Sequence, residues 1–271
     1  MTMSVTDKDL PGLYQAADNA AICAQKIYYR GLACYLTLLI FASYISYRYS
    51  NTANGAILSA LLFLASLGIL IWLRVKRPDD VWYNGRAVAE SVKTRAWRWM
   101  MRAEPYHDIE NIDIVSKQFI NDLKSILNQN RNISTMLGSN ATIEAPITEK
   151  MKNIRALDIK QRLEIYKTAR IQDQSEWYSK KAIYNKKRAT FWFWCSVALH
   201  SLAVCMLLLR IRNPAQSYPI EVVATAAAGT LTWLQAKKHN ELSSSYALAA
   251  HELVLIKGEA LSVKNEKTIS D

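Results

Sequence analysis

The chain has 271 residues, of which 51% are apolar, and a formal net charge of +11. Length allows one large or two modest domains, and a mean hydropathy near zero beside so many apolar residues means that the apolar ones are segregated. The charge would suit a nucleic-acid binder, but the basic residues cluster beside apolar blocks, so no direct nucleic-acid binding is expected.

The first stretch, Met1 to Ala21, carries Asp7, Asp9 and Asp18 and lacks a basic region leading into an apolar core, so it does not read as a cleavable signal peptide. Charge-free blocks follow from Gly31 to Tyr47 and from Gly55 to Leu73. Two more run from Thr190 to Leu209 and from Val222 to Ala236. A bilayer core takes about 20 mostly apolar helical residues, with a floor near 17. The second and third blocks meet this outright, the first is borderline and the fourth is short. Short turns, Arg48 to Asn54 and Arg210 to Pro219, join them in pairs, and a hairpin is the cheapest way to insert a weak span beside a strong one. The expectation is an all-α membrane protein with four transmembrane helices in two hairpins, spans about 31–47, 55–73, 190–209 and 220–236, and long amphipathic cytoplasmic helices.

Arg74, Lys76, Arg77, Lys186, Lys187, Arg188, Lys237 and Lys238 flank one side of these spans, against Arg48, Arg210 and Arg212 on the other. That asymmetry places both termini and the central segment in the cytoplasm. Cys34, Cys195 and Cys205 fall inside spans and Cys23 just before one, with neither a metal spacing nor a disulfide framework.

Trp82 to Met100 is the densest segment of the first half. Arg86 and Glu90 are four apart and Glu90 and Lys93 three apart, which places them on one helical face as ion pairs. Trp82, Trp97 and Trp99, with Arg95 and Arg98, fit a helix near lipid headgroups. Ile112, Val115, Phe119, Leu123 and Ile126 recur at helical spacing and read as an amphipathic helix. Asn132 to Pro146, rich in Ser, Thr and Asn, reads as a loop. The domain boundaries are therefore set at 1–130, a loop at 131–146, and 147–271.

Beyond the loop, Ile159, Leu163 and Tyr166 begin a second stripe, which Arg170, Asp173, Trp177 and Lys181 prolong at steps of three and four. Such residues should face another helix, and buried charges must be paired, so a packing or signal-coupling network is expected there. Of the four histidines only His200 lies inside a span, which makes it a functional candidate, although a neutral imidazole packed on a neighbouring helix explains it as well. The fourth block is small and hydroxyl-bearing. Thr225, Gly229 and Thr232 are candidate pore-lining residues with Glu221 at the outer mouth, and close helix packing is the alternative use of such residues.

The two halves also repeat weakly. Each carries a hairpin, a Trp-Leu pair at its exit (Trp72-Leu73 and Trp233-Leu234), basic residues, and a Tyr followed by Glu (Tyr83 and Glu90; Tyr246 and Glu252). No Gly-rich phosphate loop, His-Glu-x-x-His or Gly-x-Ser-x-Gly occurs, so neither an enzyme nor a cofactor is expected.

The run from Trp82 through Ala89-Glu90-Ser91-Val92-Lys93-Thr94 to Ala103-Glu104-Pro105-Tyr106, with the run from Arg170 through Asp173, Trp177 and Lys181 to Ala182, resembles the bacterial SLATT family of two-transmembrane domains. The resemblance covers nearly the whole chain as a tandem of two hairpins. It implies an inner-membrane effector of prokaryotic conflict systems that forms a pore or damages the membrane. It also implies a partner such as a nucleotide-second-messenger synthase or other sensor, and since four helices per chain are too few to enclose an aqueous pore, a homo-oligomer is expected. A membrane-anchored scaffold without a pore is the alternative.

Overall fold

A computed structural model describes residues 5–107, 111–130 and 145–259. Every element among them is helical. In chain order they are α1 (Gly12–Arg48), α2 (Ala53–Lys76), α3 (Pro78–Met101), α4 (Ile112–Gln129), α5 (Glu149–Ala156), α6 (Ile159–Tyr166), α7 (Asp173–Arg212), α8 (Ile220–Lys237) and α9 (His239–Glu259). Most of the expected loop, residues 131–144, lies outside the described residues.

Three helical stretches, Gly12–Arg48, Ala53–Met101 and Ile159–Arg212, are long and apolar enough to cross a membrane. The fourth expected block forms helix α8, which is not among those three; its 18 residues include Glu221, Gln235 and Lys237 beside the small ones. Its 18 residues rise about 27 Å, close to the roughly 30 Å of a hydrocarbon core.

The described residues divide into two compact units, and the division cuts across the sequence repeat. One unit comprises Ile27–Arg77 and Ser179–Ala247 and holds the four apolar blocks. Here α1 and α2 form the first hairpin: the Ser59 hydroxyl donates to the Ala42 carbonyl at 3.0 Å, and Gly31 lets Leu73 come so close that a Cβ would stand 2.9 Å from its side chain. Helix α8 lies antiparallel along the same α1. Tyr47 donates to the Ser217 carbonyl (3.0 Å), Ser43 and Thr225 share a hydrogen bond (3.1 Å), Gly229 faces Leu36, and the Tyr29 and Trp233 rings meet at 6.0 Å. The ladder of contacts runs up α1 as it runs down α8, so packing on a spanning helix supplies what the composition of α8 lacks.

Each hairpin ends in the same device. Arg77 (φ 46°) and Lys238 (φ 49°) are left-handed residues, each donating its amide to the carbonyl of the leucine in the Trp-Leu pair, Leu73 at 3.0 Å and Leu234 at 3.1 Å. Such a cap stops one helix and starts the next at once, and without glycine it is held at a conformational cost of about 1 kcal/mol. The weak sequence repeat is thus a structural repeat at this joint.

The other unit takes its residues from Met1–Lys26, Pro78–Tyr178 and Leu248–Asp271, with α3 at its centre. Val88, Ala89, Val92, Ala96, Trp99 and Met100 recur at helical spacing and are all buried. The start of α1 packs on them through Tyr14 and a run of alanines, α4 through Val115, Phe119 and Leu123, and α5 through Met151 and Ile154. Trp97 (4% exposed) and Trp99 (0%) therefore stand inside a helical core, on Tyr166 and Phe119, rather than at lipid headgroups. An indole beside arginines satisfies both readings in sequence, and the apolar faces of α4 and α6 decide between them.

Candidate functional site

The densest polar constellation joins the start of the chain to α3. Arg86 donates to Asp18 at 2.6 Å and to Glu90 at 2.8 Å. The expected Arg86–Glu90 pair is formed, whereas Lys93 turns away from Glu90 to Asp7 (3.0 Å) and lies 5.4 Å from the centre of the Tyr14 ring. Asp7 is presented by the 3-10 turn Asp7–Asp9 and Tyr14 by the first turn of α1. Burial works against the charged Asp7, but its bonds to Lys93 and Tyr14 prevail and hold its carboxyl below the usual range. Arg86 is likewise raised despite burial, by Glu90 and Asp18. The clasp is closed by Thr148, whose hydroxyl caps α5 and donates to the Asp9 carbonyl at 2.7 Å.

At the far end of α3 stands a feature that the sequence reading passed over. Arg155 (3% exposed) and Arg162 (1%) are buried, and their guanidinium groups point at the carbonyls that end the helix. Arg155 donates to Trp99 O at 2.5 Å and to Tyr106 O at 2.9 Å, and Arg162 donates to Met101 O at 2.7 Å. Cations belong at a helix C-terminus, where unpaired carbonyls gather partial negative charge. The signal was present: Arg155 follows Met151 by four and Arg162 precedes Ile165 by three, so each arginine shares a helical face with a buried apolar residue.

Along the second expected network the buried positions fall on other residues than the expected stripe. Asp173, Trp177 and Lys181 are exposed, while Ile171, Ala182, Asn185 and Ala189 take the buried positions. Lys167–Gln172 is a π-helical turn, which absorbs an extra residue and turns the following face by about 100°. A constant period of 3.6 therefore carries the stripe of Ile159, Leu163 and Tyr166 onto the wrong side of α7. Arg170 is half-buried beside this turn, and Glu252, on α9, is exposed.

Asn185 has a more specific partner. It donates to the Lys181 carbonyl at 2.8 Å and meets His239 Nδ1 at 2.7 Å, and His239, the first residue of α9, is 8% exposed. Burial and the nearby positive charges of Lys237 and Arg188 push the imidazole below its ordinary value. An unfolded His binds its proton near pH 6.5 and the packed one only at lower pH. The contact is therefore fully stabilising above about pH 6.5 and loses strength as pH falls through the unfolded value toward the folded one. Amide protection around Asn185 and His239, taken relative to the intrinsic exchange rate at each pH, should fall from pH 7.5 to pH 5, and His239→Gln should flatten that response. Equal protection at both pH values would refute the assignment.

Along α8 the four pore candidates separate. The Thr225 hydroxyl is occupied by Ser43 and by the Glu221 carbonyl, and Gly229 is buried against Leu36. Thr232 donates to its own helix at Ala228 O (2.9 Å) and is exposed, as is Glu221. An exposed stripe of Glu221, Ala224, Ala228, Leu231, Thr232 and Gln235 runs beside the face that packs on α1. Among the described residues no group of His, Cys, Asp and Glu has a metal-ligating arrangement.

No curated protein and no solved structure matched the chain significantly. Two family models do match: SMODS and SLOG-associating 2TM effector domain 3 over residues 11–163, and SMODS and SLOG-associating 2TM effector domain 1 over residues 166–271. The first takes in α5 and most of α6, which pack on α3, so the buried arginines fall with the half they stabilise. With both hairpins, both left-handed joints and both matches in register, the chain belongs to the SLATT family of two-transmembrane effector domains and carries two of them in tandem.

Proposed function

We propose that the protein is a self-associating effector that opens a permeation path through a bacterial inner membrane as part of a conflict-defence system, with both termini and the segment between the hairpins on the cytoplasmic side. The observation that carries this reading is α8. It lies along a spanning helix, yet of its outward residues Glu221, Ala224, Ala228, Leu231, Thr232 and Gln235 only Leu231 is large and apolar. Lipid gives no return for such a face, whereas a shared aqueous path or a close helix partner does. Four spans per chain are too few to enclose water, so several copies must contribute. The association with SMODS and SLOG proteins in the family's description supports a nucleotide-linked partner as the trigger, one that favours an open state over a closed one.

The test is ion flux from liposomes at matched incorporation, with partner protein present. Ala228→Leu and Thr232→Leu should lower flux by about tenfold or more, since bulky apolar groups narrow and dewet a path. Leu64→Phe, on the exposed side of α2, should leave it unchanged. Normal flux in both α8 variants would remove α8 as lining, and no flux from the activated wild type would favour a membrane-anchored scaffold.

A further inference from the structure

Within the third expected span, His200 stands near the midpoint of an apolar helix and is exposed. Its Nδ1 lies 2.7 Å from the Ser196 carbonyl. A carbonyl only accepts, so Nδ1 carries the proton and Nε2 is left as an outward-facing acceptor. None of the most apolar window of Ile159–Arg212 is buried inside the chain. Around His200 the same face carries Phe193, Ser196, Val197, Val204 and Leu207, so the imidazole is set in an otherwise largely apolar surface. In hydrocarbon an unsatisfied polar atom is expensive, and intramembrane ionisable groups accordingly face protein or water.

We propose that this face of α7 seats a second copy of the chain, with His200 Nε2 accepting a hydrogen bond from that copy. The occupant follows from depth. Copies inserted the same way and related by a two-fold axis along the membrane normal bring like positions to like depth. Two acceptor nitrogens do not bond each other, but each copy also carries the exposed hydroxyl donor Ser201 next to His200, and Ser196, whose hydroxyl lies 3.5 Å from its own His200 Nδ1, one helical turn away. Each imidazole thereby gains a donor, and the contact repeats across the axis. This inference rests on the self-association proposed above and names the surface that forms it.

The native cysteines provide the test. Cys205 is exposed on α7, five residues beyond His200 and so about 140° around the helix. In the full chain with its other cysteines replaced by serine or alanine, His200→Cys should form disulfide dimers in liposomes, while the chain retaining Cys205 alone should not. Separately, photobleaching step counts should show that His200→Leu weakens self-association about three- to twentyfold, the range of measured interhelical hydrogen bonds, and that His200→Gln largely retains it. Association undiminished in His200→Leu, or cross-links at Cys205 instead of position 200, would overturn the assignment while leaving an oligomeric effector intact. A wild-type chain that stays monomeric at every protein-to-lipid ratio would overturn both.

Discussion

Replacing Arg155 with Ala is expected to cost the α3-centred unit about 3–5 kcal/mol. The guanidinium is buried and holds Trp99 O and Tyr106 O together, with its plane 4.9 Å from the Trp99 ring centre. Its removal strands two carbonyls away from water, leaves a cavity, and strips a positive charge from the end of α3. Arg155→Lys should fall between, because an ammonium keeps the charge but lacks the fork that spans both carbonyls. Arg102→Ala should be milder, since Arg102 is only half-buried and donates to the Arg155 carbonyl. Thermal unfolding in detergent, followed by circular dichroism, gives the order. An unfolding midpoint for Arg155→Ala equal to the wild type would show that the arginine does not carry the helix end.

A single methyl group at Gly55 should disrupt the first hairpin. Thr52 caps α2 by accepting from the Gly55 amide at 3.2 Å, and the turn closes so tightly that a Cβ on Gly55 would stand 2.3 Å from Tyr49 Cβ and 2.5 Å from its carbonyl oxygen. Neither obstacle is the movable end of a long side chain, so the turn itself must open. Overpacking of this kind costs about 1–3 kcal/mol or more. Gly68 is the internal comparison, because a Cβ there meets nothing within 4 Å. Gly68→Ala should be neutral or stabilise α2 by up to about 1 kcal/mol, since alanine is the better helix former. Resistance of the folded chain to stepwise denaturant reads both. Equal midpoints for Gly55→Ala and Gly68→Ala would mean that the turn is looser than its geometry.

Part of the candidate site was legible because its partners are neighbours in sequence. Arg86 and Glu90 sit one helical turn apart and find each other. Lys93 also has Glu90 within a turn, but Asp7 arrives from 86 positions away, and no periodicity announces it. The same limit explains Arg155 and Arg162, whose partners are carbonyls at and just beyond the end of α3, more than 45 residues earlier. For the run from Arg170 to Lys181 the obstacle was local. Six residues of π-helix changed the period, and every later position on the stripe pointed elsewhere.

The sequence by itself determined the helices, the apolar blocks, their pairing into hairpins and the two family motifs. Each of these is written in contiguous residues: an apolar run long enough for a bilayer, a turn too short for anything but a hairpin, a stripe at helical spacing. Tertiary structure alone decided which side of each helix is covered. It set Trp97 and Trp99 in a core, turned Thr225 and Gly229 of α8 onto α1 while leaving Thr232 exposed, and grouped the chain into units that cut across its repeat. The physical reason is that helix formation follows short-range spacing, whereas the choice of covered face depends on which distant surface arrives to pack against it.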